Sequence, residues 1–186
     1  MLSGAENNSE DPMENAFDYL AIETLRDGRR LVVRAFKPED RTDFLAAADR
    51  TGPLTRYRRF FSVKPSFSDR ELNFFLNVDF EKHVALIALM DEAGRQVIVA
   101  AGRYVVVQPQ KAEVAFTVID QYQRQGIAPI LLRHLVGIAR AAGLNTLIAE
   151  VLTENMRMLK VFERSGLPVR TSRDHPEVVH VSLQLN

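Results

Sequence analysis

The chain has 186 residues, 46% hydrophobic and 26% charged, a composition that suits one globular domain and excludes a collagen-like, low-complexity or wholly disordered chain. Lys and Arg total 24, balanced by 24 Asp and Glu, so the basic excess of a typical nucleic-acid binder is absent. Without cysteine there is no disulfide, thiolate metal site or Cys nucleophile, and His83, His134, His175 and His180 do not fall at metal-ligand spacing, so no metal is expected.

Residues 1–22 are acidic, with Glu6, Glu10, Asp11, Glu14 and Asp18 preceding any run of Lys or Arg. Such a start fits neither a secretory signal nor a mitochondrial presequence. No stretch approaches the ~20 apolar residues that span a bilayer. The longest apolar run, Val84 to Met90, is strand-length. The expectation is a cytoplasmic chain without a membrane anchor. Residues 1–22 are read as a mobile tail or short docking arm, and residues 23–186 as one domain.

Arg30 to Phe36 is β-branched and loosely alternating, which predicts a strand. Pro38, Glu39 and Asp40 form a helix start, Phe44, Leu45 and Ala48 recur at helical spacing, and Thr51-Gly52-Pro53 ends that helix. Arg56, Arg58 and Arg59 follow on a predicted loop, where they are either solvated or aimed at phosphates or an acidic protein face. Ser68 and Glu71 make a capping box, and Leu72, Phe75 and Leu76 give the next helix its buried stripe. Three strand-like runs come next: His83 to Met90, Gln96 to Val107 and Ala112 to Ile119. Their short polar connections contain Gly or Pro and suit antiparallel hairpins. Then the period changes. Ile127, Leu131, Leu135, Ile138 and Ala142 mark one helix face, and Gly143 its end. Thr146 to Leu152 is a strand, Glu154 to Ser165 a helix with Leu159 and Phe162 inward, and Val178 to Leu185 a closing strand. Hairpins followed by strand–helix–strand–helix describe an α/β domain with a mixed sheet.

One junction carries most of the chemistry. In VAFTVIDQYQRQGIA, Val114 to Ala128, a strand enters a loop that opens a long helix at a glycine. The first turn of a helix has unpartnered N–H groups and the positive end of the dipole, so it is a preformed anion site. Gly126 and Ala128 allow a phosphate close to the main chain, and Gln123 and Arg124 add donors from the loop. No Gly-Lys-Ser/Thr follows, so this is not a P-loop, and G-x-G-x-x-G is missing. The same residues also suit a plain strand-to-helix turn.

The spacing Gln123-x-x-Gly126-x-Ala128 resembles the acyl-CoA-binding motif of the GNAT N-acetyltransferases. Asn155 at the next helix start, and Phe162-x-x-x-Gly166-Leu167, resemble further family positions. RYRRFFS (Arg56–Ser62), EVAFTV (Glu113–Val118) and AEVLTEN (Ala149–Asn155) are similar to the acetyltransferase domain of bacterial Pat-type protein lysine acetyltransferases. The resemblance covers about 155 residues, the size of one domain. It implies the GNAT fold, a central twisted, mostly antiparallel sheet with flanking helices. It implies acetyl-CoA as cosubstrate, with the coenzyme A pyrophosphate on the amides of Gln125, Gly126, Ile127 and Ala128. Gln123 and Arg124 lie beside these, the pantetheine arm pairs near Val118, and Asn155 joins the cofactor residues. The acceptor it implies is a protein lysine ε-amine, an acyl-CoA synthetase being one such partner; a small amine is the alternative, and a homodimer is compatible.

By residue type alone, Glu113 is a solvated strand end after the turn at Lys111; the resemblance makes it the general base. Glu150 is the rival acid, read as a structural partner for an arginine, and Glu154 as an anion in a helix first turn. His134 is read as a surface or interface residue and His83 as a packed one. Two positions depart from the family pattern. Phe162 stands where many GNAT enzymes carry a proton-donating Tyr, and Pro129 removes one potential phosphate donor. Both leave open a non-catalytic acyl-CoA-binding regulator.

Overall fold

In the computed structural model, which describes residues 16–62 and 67–186, the apolar runs zip into one eight-stranded sheet. Its strands are β1 (Leu20–Thr24), β2 (Arg30–Ala35), β3 (His83–Glu92), β4 (Arg95–Gln108), β5 (Lys111–Val118), β6 (Thr146–Leu152), β7 (Val169–His175) and β8 (Val178–Gln184). Their spatial order is β1-β2-β3-β4-β5-β6-β8-β7, antiparallel at each step except β5–β6, which is parallel. The helices are α1 (Arg41–Asp49), α2 (Pro53–Phe60), α3 (Asp69–Leu76), α4 (Ile127–Ala141) and α5 (Met156–Glu163). This is the mixed sheet with flanking helices that the sequence predicts. No helix among the described residues is long and apolar enough to cross a membrane.

Helices cover both faces of the sheet. A Cβ on Gly102 of β4 would stand 2.9 Å from the Phe116 ring of β5 and 3.2 Å from Leu135 of α4, so glycine leaves room there for both side chains under α4. The next residue, Arg103, points to the other face, where its guanidinium lies 4.6 Å over the ring of Phe75 in α3. With both faces covered, His83 to Met90 is buried throughout, which explains an apolar run without alternation.

Three elements differ from the sequence reading. β1 begins inside the stretch read as tail: it pairs with β2 from Leu20, and Tyr19 before it is buried. Its side chains are exposed or half-buried, so it shows little hydrophobic signal; residues 1–15 lie outside the described residues. Pro53–Phe60 is a helix, not a loop, so Arg56, Arg58 and Arg59 stand on α2. β7 is a polar edge strand with nearly every residue exposed, and nothing apolar announces it. By contrast, Ser68 caps α3 as expected, its hydroxyl accepting from the Glu71 N–H while the Glu71 carboxylate accepts from the Ser68 N–H.

His134 is not a surface residue. Its Nδ1 pairs with the Tyr19 hydroxyl at 2.5 Å and its Nε2 lies 2.9 Å from Glu23, so it straps α4 to β1. His83 is packed as expected, stacked 4.8 Å from the ring of Phe74. Burial, and then the nearby Arg103 charge, pull its pKa down to about 4. The unfolded ring titrates near 6.5, so between these values the unfolded chain binds the extra proton. His83 therefore stabilises the fold above pH ~6.5, a contribution lost as pH falls toward about 4. The expected loss is about 3 kcal/mol. Denaturant unfolding across this window should show that component of the slope missing in His83→Gln; an unchanged slope would place the titration elsewhere.

Candidate active site

The parallel pairing of β5 with β6 is short. Lys111, Ala112 and Glu113 face Thr146, Leu147 and Ile148, and beyond them the strands part. The edge of β5 from Val114 to Val118 is thus free of strand partners on the β6 side, among the described residues. The gap opens into a cleft of about 720 Å³, lined on one wall by Glu113 to Val118 and on the other by Ala149 to Val151. A splayed sheet offers an extended ligand both room and a row of main-chain hydrogen-bonding groups.

The loop after β5 is fixed from several sides. Tyr122 is buried and its hydroxyl donates to Glu92, whose carboxylate also pairs with Arg50 at 2.6 Å. Asp120 accepts from the Gly52 N–H at 2.7 Å and the Thr55 hydroxyl at 2.8 Å, so it caps α2 from across the fold. Gln123 donates from Nε2 to the Val118 carbonyl at 3.2 Å and to Thr55 at 3.0 Å. Gln125 accepts from Arg29 at 2.5 Å and donates to the Gln121 carbonyl at 3.0 Å. The side chains of Gln123 and Gln125 therefore hold the loop in shape, where the sequence reading gave Gln123 a donor for the ligand. Arg124 and Gly126 take positive φ angles of 65° and 86°, which turn the main chain into the helix.

α4 then starts with no side chain capping it. Its first bond back is the Ile130 N–H to the Gly126 carbonyl, so the N–H groups of Ile127 and Ala128 have no helical partner. Pro129 has no N–H to offer. A Cβ at Gly126 would meet nothing within 4 Å, and Gly126 lines the cleft. The uncapped helix end and the glycine thus face the same open space.

The cleft is electropositive in a chain of zero net charge. Arg26, Arg58, Arg59, Arg124, Arg157, Lys160 and Arg164 line it, against Asp27, Glu113 and Glu150. Arg157, Lys160 and Arg164 step by three and four along α5, a basic stripe that the sequence reading missed although its helical spacing was legible. Arg26 and Asp27 come from the β1–β2 turn, which no local pattern tied to the motif.

Glu113 is the last β5 residue paired with β6. It is exposed, lines the cleft and shares its strand face with Ala115 and Thr117. Desolvation lowers the pKa of the Arg59 guanidinium to about 10, and the Glu113 charge opposes that shift. Among the described residues Glu150 has no arginine within ion-pair distance; it stands 3.5 Å from His180 on β8. Glu154 bridges to Arg58 of α2 at 3.1 Å. Arg56 donates to the Thr51 carbonyl at 2.7 Å and so braces α1. Asn155 caps α5, accepting from the Met158 N–H at 3.3 Å, and also lines the cleft. Phe162 is buried against Phe116, with ring centroids 6.2 Å apart.

A family model of the acetyltransferase (GNAT) domain matches residues 30–168. The chain is 29% identical over 161 residues to acetyltransferase PA5475 of Pseudomonas aeruginosa, covering 86% of this chain and 87% of that one. It is 34% identical over 145 residues to acetyltransferase Pat of Mycolicibacterium smegmatis, covering 76% of this chain and 42% of Pat, so it spans less than half of that relative. The crystal structure of the GNAT domain of S. lividans PAT superposes with a TM-score of 0.80 at 30% identity, covering 89% of this chain and 96% of that domain.

Proposed function

We propose a specific reaction for this chain, which belongs to the GNAT acetyltransferase family: transfer of an acetyl group from acetyl-CoA to a primary amine, a protein lysine ε-amine, with Glu113 as general base. The observation that carries this reading is the shared cleft, in which an uncapped helix start, an open strand edge and a carboxylate at the strand junction face one space.

The main-chain N–H groups of Ile127 and Ala128, with the surrounding arginines, suit the pyrophosphate of coenzyme A. The free β5 edge near Val118 suits the amide-rich pantetheine arm, and Asn155 offers its side-chain amide beside it. The thioester then lies toward the point where β5 and β6 part. There Glu113 takes a proton from the acceptor ammonium, directly or through water. The neutral nitrogen attacks the thioester carbon to form the C–N bond, its second proton passes to solvent, and the C–S bond breaks to release the coenzyme A thiolate. Phe162 has no proton to give, so the thiolate recovers its proton from solvent.

Incubation with labelled acetyl-CoA and a source-cell lysate tests the reading, with thiol release followed in parallel. Acetyl-lysine in protein is the expected result. Label confined to small molecules would move the acceptor to a free amine, and binding without thiol release would make the chain a sensor.

A further inference from the structure

A second, smaller cavity of about 60 Å³ lies beneath α1, α2 and α3 on the Glu113 face of the sheet. Arg59, Ala115, Phe116 and Thr117 line both it and the cleft, so the two spaces adjoin. Its walls are aromatic and aliphatic, with Phe60, Phe67, Phe75 and Ile98 among them, yet Arg56, which donates to the Thr51 carbonyl, lines it, and so does the pair Arg59 and Arg103. Arg103 is 7% exposed. Among the described residues neither has a carboxylate within ion-pair distance. Desolvation lowers the pKa of each guanidinium; the Glu113 charge opposes the shift at Arg59, while Arg59 lowers Arg103 further, to about 9, as one cation repels another.

Arg103 is thus a buried cation without an ion-pair partner among the described residues, with the half-buried Arg59 beside it, and such a cation is costly and unusual. The geometry shows what is missing. Arg103 lies 4.6 Å over the Phe75 ring and Arg59 lies 5.0 Å over the Phe60 ring. A guanidinium stacked by its face keeps its edge, where the N–H donors lie, for in-plane partners. Arg103 spends one nitrogen on His83 Nε2 at 3.0 Å and on the Phe75 carbonyl at 3.5 Å. Its other donors, and those of Arg59, have no hydrogen-bond partner among the described residues. The cavity volume is about that of two waters at ~30 Å³ each. That space fits a carboxylate on a short apolar stem, with planar oxygens matching the guanidinium edges.

We propose that this cavity binds a carboxylate group between Arg59 and Arg103, on the face of the sheet that carries Glu113. Its source is either an Asp or Glu side chain near the acceptor lysine or a free short-chain carboxylate. The binding itself does not depend on the proposed transfer; the acidic-acceptor source does.

Thermal unfolding of the full chain in sodium propionate, against sodium chloride at matched ionic strength, tests the site. Propionate is expected to raise Tm in the parent and to have no such effect in Arg103→Met. Ala48→Leu, which fills the cavity from α1 and keeps both cations, should lose the response as well and serves if Arg103→Met fails to fold. In the second arm, acetylation of lysine peptides with a neighbouring Glu is compared with the Gln form. A kcat/KM preference for Glu of ~10-fold or more, absent in both variants, assigns the carboxylate to the acceptor. A propionate response without peptide preference assigns it to a free carboxylate. Acetylation without peptide preference, together with no propionate response in Tm, overturns the pocket and leaves the transferase reading standing. A propionate response in a chain that acetylates nothing does the reverse.

Discussion

Glu113→Gln is expected to lower turnover by ~100-fold or more at neutral pH while acetyl-CoA affinity stays within a few fold. A lysine amine has a reference pKa of ~10.4, so fewer than about one in a thousand is neutral at pH 7. The thioester is attacked by the neutral form alone, so a group near the reacting carbon must accept the proton. Glu113 stands at the last β5–β6 pair, on the wall of the cleft and open to solvent. Glutamine keeps the shape and loses the basicity, so the proposal predicts a kcat effect with little change in cofactor binding. Activity should return as pH rises and free amine becomes plentiful. Glu150→Gln should cost much less, because Glu150 is turned to His180 at 3.5 Å. Parent-like turnover by Glu113→Gln at neutral pH would remove it as the base.

Gly126→Glu is expected to weaken acetyl-CoA binding by ~100-fold or more, about 3 kcal/mol. The new side chain would project into open space at the uncapped start of α4, bringing a negative charge to the site proposed for the pyrophosphate. The φ of 86° adds a left-handed strain of about 1–2 kcal/mol for any residue with a Cβ. That strain lowers Tm by a few degrees in a domain of this size. Gly126→Ala carries the same strain without the charge or bulk, so it separates the two effects. Calorimetric titration should find Ala close to the parent and Glu with little heat. Equal affinity in parent and Glu variants would remove the amides of this turn from the cofactor site.

Local patterns fixed much of this protein before any tertiary contact was known. The stride of Ile127, Leu131, Leu135 and Ile138 set α4, since a helix repeats its buried face every three or four residues. The Ser68–Glu71 box set the start of α3, because both partners of the cap lie within one turn. Gly126 marked the helix start, because the turn requires a φ that other residues resist. Contacts from distant segments decided the rest. α2 has no cap of its own: Gly52 is its N-cap, and Asp120, sixty-eight residues on, accepts its N–H. Read locally, RYRRFF therefore looks like a loop. β1 and β7 are edge strands whose pairing with β2 and β8, rather than any buried stripe, holds them in the sheet. The Gln123 side chain read locally as a donor for a ligand, and only the fold brought Thr55 and the Val118 carbonyl to its amide. The parting of β5 from β6 after Glu113, and the meeting of Arg59 with Arg103 beneath α2, join residues from separate elements. No local period encodes such a meeting, because it depends on how whole elements pack.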